Sequence, residues 1–201
     1  MAEYEKMVKN LIKIGDPMAL SDAFDVCREL ELVDSVRVDG TGRRERAVTV
    51  YDEGNFSLAH SLVKEIRGEA SKLLRAGVDA ENMQSLYYKT HLFDAPHVFD
   101  SFCIYIEKDR PIEKQFYLPR RKQLLPCAKA LQDLEERKIE LLGISEPPGV
   151  GKTTLAEFFL AWTAGRNPFL PSLIGSHNNA FLGGVYGEMI RIFDPIGDYK
   201  W

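Results

Sequence analysis

Glu140-Leu-Leu-Gly-Ile-Ser-Glu-Pro-Pro-Gly-Val-Gly-Lys-Thr-Thr-Leu155 runs from an apolar stretch through a Gly/Pro loop into a helical pattern. This is the order of a strand, a phosphate-binding loop and the helix that follows it. The motif G-x-x-x-x-G-K-[ST] is met at residues 146–153 except at its first position, where Glu146 stands in place of glycine. Gly149 and Gly151 let the backbone around Pro148 and Val150 turn successive N–H groups inward, and a helix opening at Lys152 adds its unpaired amides and the positive end of its dipole. Lys152 then reaches the β- and γ-phosphates of ATP, Thr153 binds Mg²⁺ and Thr154 donates to the α-phosphate. Pro147 and Pro148 stiffen the entrance. A ligand-free Gly-Pro turn is the alternative. The apolar residues on both sides, Leu141, Leu142 and Ile144 before the loop and Leu155, Phe158, Phe159, Leu160 and Trp162 after it, favour the phosphate loop.

Outward from the loop, the fold expected is α/β: an incomplete P-loop NTPase parallel sheet, ordered strand, loop, helix, strand, helix, preceded by a mostly helical domain. Ser172–Ser176 is read as the second strand, and a helix follows with Phe181, Leu182, Val185, Met189, Ile190 and Phe193. Upstream, residues 111–138 read as a Pro-rich linker and a basic helix. That helix starts with Arg120 and Arg121, and Arg121 and Gln123 are candidates for contacting the nucleotide, against the alternative of a basic surface patch.

Residues 1–110 read as the helical domain. Tyr4, Met7, Val8, Leu11 and Ile12 recur at helical spacing, Gly15-Asp16-Pro17 separates two helices, and Leu58, Leu62, Ile66, Ala70 and Leu73 form one stripe ending at Gly77. Between them, Ser35–Asp39 and Ala47–Tyr51 alternate like strands around Arg43, Arg44 and Arg46, and are expected to form a β-hairpin. Its arginine-rich tip reads better as a solvated turn than as a DNA-binding wing. Asp94, His97 and Asp100 fall close together, but a proline interrupts the spacing and they read as loop and cap residues rather than metal ligands.

The chain has 201 residues, 45% of them hydrophobic and 28% charged, with a net charge of −4. That balance is ordinary for a globular protein and does not advertise nucleic-acid binding. Three widely spaced cysteines imply neither a disulfide framework nor a zinc site, and no stretch reads as a membrane span. A cytoplasmic location fits these features. Nothing after Lys152 qualifies as the apolar strand ending in a carboxylate that phosphate-loop hydrolases use for metal and water, so residues 139–201 are read as the start of an ATPase domain, truncated before that strand.

Phe99-Asp-Ser-Phe102, Phe116-Tyr-Leu-Pro-Arg-Arg-Lys-Gln-Leu124, Leu131-Gln-Asp-Leu-Glu135, the loop 146–155, Phe158-Phe-Leu-Ala-Trp162 and Gly175-Ser-His-Asn-Asn-Ala-Phe-Leu-Gly-Gly-Val-Tyr186 together resemble the N-terminal ATPase region of tailed-phage terminase large subunits. The resemblance implies a viral packaging motor that couples ATP hydrolysis to moving double-stranded DNA into a capsid, with portal protein and small terminase subunit as partners. It also implies a ring in the full-length protein and a place at the capsid portal in the host cytoplasm. It carries over Gly149, Gly151, Lys152 and Thr153, with Mg²⁺ and ATP as cofactors. The family's nuclease and carboxylate strand have no counterpart in these residues, and the position where many members carry a basic finger is Gly149. Another P-loop NTPase, AAA-type or helicase-like, is the nearest alternative. A non-catalytic assembly module is the other.

Overall fold

A computed structural model describes residues 2–34, 55–169, 171–176 and 179–193. They divide into two compact units, Met1–Phe93 and Asp94–Trp201. The expected β-hairpin at 35–51 lies outside the described residues.

In the first unit, α1 (Ala2–Ile14), α2 (Pro17–Asp34), α3 (Asn55–Arg75) and α4 (Ala80–Asp94) follow the sequence punctuation closely. Gly15 closes α1 with φ +71°, and Asp16 caps α2 by accepting the Ala19 N–H at 2.7 Å, with Pro17 in the first helical position where no donor is needed. At the end of α3, Gly77 takes φ +72° and the Val78 N–H returns to the Leu73 carbonyl at 3.0 Å. The stripe of α3 meets α1, α2 and α4 in one core. Val8, Leu20, Phe24, Cys27, Leu62, Val63, Ile66 and Met83 are buried there, and the Phe24 and Phe93 rings meet edge to face. Arg67 ties α3 to α4, donating to Thr90 Oγ1 at 3.0 Å and to the Thr90 carbonyl at 2.8 Å.

The second unit contains α5 (Phe99–Glu107), a 3₁₀ turn (Ile112–Lys114), α6 (Tyr117–Glu135), α7 (Lys152–Arg166) and α8 (Asn179–Phe193). The segment read as a linker therefore carries the 3₁₀ turn and the first residues of α6, and Pro126 sits inside that helix. An aromatic stack joins the elements: Phe99 lies 5.2 Å from Trp162, Phe102 6.3 Å from Phe158, and Phe116 4.9 Å from Phe158 between ring centroids. Gln132 of α6 caps α5 by accepting the Phe99 N–H at 3.1 Å, while its amide donates to the His97 carbonyl at 3.1 Å. The indole N–H of Trp162 donates to the Ala95 carbonyl at 2.8 Å, so the largest buried side chain leaves no polar atom unpaired.

Among the described residues there is no parallel sheet. The described residues form helices, turns and irregular chain without a strand, and this overturns the α/β expectation. Residues 141–147 and 171–176, where the strands were expected, carry no regular structure. The physical reason is that a strand exists only through a ladder with a neighbour, whereas an apolar run marks only a candidate for one. Leu141 is 88% and Leu173 98% exposed, so these side chains also lack the facing layer that would bury them.

Candidate functional site

The junction between residues 146 and 154 is built by two left-handed glycines. Gly149 has φ +82° and Gly151 φ +103°, values that side-chain-bearing residues rarely adopt, and Gly151 is the N-cap of α7. Gly151 is further required by its neighbour, since a Cβ there would stand 2.9 Å from Cδ2 of Phe116. The helix begins at Lys152, so the amides of its first turn open toward the loop.

Lys152 folds back over the loop, and its ammonium donates to the Glu146 carbonyl at 2.7 Å. The side chain of Glu146 turns the other way, its Oε1 accepting from the Cys127 thiol on α6 at 3.4 Å. The carboxylate that replaces the motif's first glycine is thus engaged with α6. Burial, followed by the hydrogen bond and charge of Glu146, pushes the Cys127 thiol above its ordinary pKa. Pro148, Gly149, Lys152 and Thr153 are exposed, with Val150 and Thr154 half-buried.

Beside the loop, along α7, lies a cavity of about 280 Å³. Lys152, Thr153 and Glu157 supply its polar lining, and Ile144, Leu160, Ile174 and Val185 contribute apolar walls. Glu157 is half-buried, and burial together with the nearby charge of Glu188 raises its carboxyl to about 7, Arg110 opposing the shift. Arg110 donates to Glu188 at 2.6 Å and lies 4.9 Å from the Phe158 ring centroid. Glu157 was missed in the sequence, although a lone acid among Leu155, Ala156, Phe158, Phe159 and Leu160 is a visible signal.

The two residues proposed upstream are placed differently. Arg121 is held by Asp100 in a bidentate pair, with Nε and Nη2 at 2.8 and 2.7 Å from the two carboxylate oxygens, and the Tyr117 hydroxyl joins the same carboxylate at 2.7 Å. Its guanidinium is therefore committed to tying α6 to α5. Gln123 is exposed, one turn before Cys127 on α6. Among the described residues, no group of His, Cys, Asp and Glu is arranged to hold a metal ion.

One further residue shapes the site from below. Glu107, fully buried at the end of α5, accepts the N–H groups of Phe116, Tyr117 and Leu118 at 2.6, 3.0 and 2.6 Å. A carboxylate there satisfies the open amides of the first turn of α6 and complements its dipole. Phe116, held this way, packs against both Gly151 and Phe158.

No protein-family model, no characterised protein and no solved structure matches the chain. No helix among the described residues is long and apolar enough to cross a membrane.

Proposed function

We propose that residues 146–154 bind the polyphosphate of a Mg²⁺-nucleoside triphosphate, ATP being the reference ligand, and that this binding serves the large subunit of a viral DNA-packaging motor. The observation that carries the first part is the pair of left-handed glycines leading directly into the amides at the start of α7, with Lys152 at the mouth. The second part rests on the resemblance. Four of the six stretches that carry it meet in the second unit, where Asp100 meets Tyr117 and Arg121, Gln132 caps Phe99, and Phe99 contacts Trp162. Double-stranded DNA, a portal, a small subunit and a place in the host cytoplasm follow from that reading. Gly149, Gly151, Lys152 and Thr153 carry the phosphate contacts, Thr153 carries the Mg²⁺ contact, and Thr154 lies next to them.

A non-catalytic assembly module is the second reading, favoured by the absence of strands among the described residues. Equilibrium binding of a fluorescent ATP analogue with Mg²⁺ separates the two. Saturable binding that weakens at least about tenfold in Lys152→Ala is expected of a phosphate loop, since a charge-assisted contact contributes about 1.5–3 kcal/mol. Binding that is absent in both proteins, or equal in both, overturns the nucleotide reading.

A further inference from the structure

The first unit contains a cleft of about 570 Å³, lined by the start of α2 and by residues 79–89 at the start of α4. Met83 and Leu86, both buried, form its apolar floor, and Met18 stands at its edge, 77% exposed. Asp16, Asp22 and Asp79 line it too, against Lys89. Two of these carboxylates are engaged locally. Asp16 accepts the Ala19 N–H at 2.7 Å, Asp79 accepts the Asn82 amide with both oxygens at 2.9 Å, and each sits at a helix start whose dipole complements its charge. Asp22 is different. It is exposed and lies beyond the first turn of α2, where that compensation has faded. Lys89 stands about 15 Å along α4 from Asp79, so the negative charge gathers at one end of the cleft.

We propose that this cleft is a docking surface for a basic, amphipathic segment of a partner protein, with a lysine or arginine of that segment at Asp22 and its aliphatic residues on Met18, Met83 and Leu86. Charge complementarity and the apolar floor together select the occupant. A polyamine or a metal ion would use the carboxylates and leave the methionines bare, whereas a purely apolar partner would strip water from the carboxylates and return no charge. Lysine and arginine meet both demands, since the aliphatic stem covers apolar surface while the head reaches a carboxylate. Methionine suits such a floor because its unbranched, polarisable side chain adapts to irregular partners. The cleft is also pre-formed: Leu20 and Phe24 fix α2 in the core, and Arg67 of α3 holds α4 through Thr90, so little ordering is left for the moment of binding. This surface goes beyond the nucleotide reading and does not depend on it.

The test is fluorescence anisotropy of a labelled peptide of leucine and lysine, patterned as an amphipathic helix and titrated with the full chain and with Asp22→Lys, Met18→Ser and Glu65→Lys. Asp22→Lys and Glu65→Lys alter the net charge equally, but Glu65 is exposed on α3 and outside the cleft. Met18 and Asp22 are exposed, so the fold tolerates their replacement. Saturable binding by the wild type is expected, weakened about threefold to tenfold by Asp22→Lys and by Met18→Ser and changed less than about twofold by Glu65→Lys. The methyl resonances of Met18 and Met83 are expected to shift with the same midpoint. Equal weakening by Asp22→Lys and Glu65→Lys would mean attraction by net charge alone and overturn the assignment, as would methionine resonances that do not move. If the peptide does not bind but Asp22→Lys changes the sedimentation of the chain, the cleft is a contact between copies and the proposal falls; if neither occurs, it falls as well. The phosphate loop stands or fails separately.

Discussion

A single buried carboxylate, Glu107, decides how α6 begins, because it takes three backbone N–H groups that have no partner within the helix. Glu107→Gln keeps the shape but removes the charge and turns an NH₂ toward amides, so a loss of about 2–4 kcal/mol is expected, read as a lower denaturation midpoint at unchanged slope. Glu157 yields a prediction of opposite character. Its carboxyl lies near 7 in the folded chain against an ordinary value of 4.5, so between these values the folded state binds more protons than the unfolded one. The stability it contributes is present below about pH 4.5 and is lost as pH rises to about 7. Thermal melts of the wild type should therefore show a decline over that window that Glu157→Gln lacks; parallel profiles would contradict the assignment. Lys152 and Thr153 were legible as candidates from the motif alone. Glu107 and Phe116 were not, since a carboxylate nine to eleven residues before a helix start announces no cap until the chain has folded back.

At the scale of elements, the helices were written in local signals, and the lack of a sheet among the described residues was not. The stripe Leu58, Leu62, Ile66, Ala70 and Leu73 and the glycine at position 77 fix α3, and both lie within one helix length. The runs at 141–144 and 172–176 looked like strands because composition marks extended apolar chain, but pairing depends on a neighbour that composition does not name. The start of α6 was misread because Pro111 and Pro119 suggested an extended linker, while Pro119 in fact lies in the first turn, where proline is tolerated. The joint between loop and α7 gives a sharper test. Gly151→Ala forces a Cβ against the Phe116 ring and strains a backbone at φ +103°. We expect a cost of about 1–3 kcal/mol, with the proposed ATP binding lost along with it. Adding Phe116→Ala removes the clash and leaves the backbone strain, so the double variant should not recover binding. Full recovery would show that the ring alone dictated the glycine.

At the scale of the whole molecule, each unit has buried apolar side chains of its own, but the second also exposes Leu141, Phe169 and Leu173 at 88%, 88% and 98%. Large apolar side chains on chain without a ladder are a surface for self-association. Sedimentation of the wild type is expected to show concentration-dependent association that Leu141→Lys combined with Leu173→Lys reduces; a monodisperse wild type at high concentration would refute this. The placement of the aromatic residues has an optical consequence. Both tryptophans, Trp162 and Trp201, follow Phe93 in the sequence, and Trp162 is fully buried with its N–H bonded and Arg166 4.5 Å from the ring centroid. The indole emission of Trp162 is therefore a signal of the unit that carries residues 146–154, whereas far-ultraviolet dichroism sums over the helices of both. Recorded together on the unmodified chain, the two signals distinguish which unit responds to nucleotide, acid or heat, with no label attached.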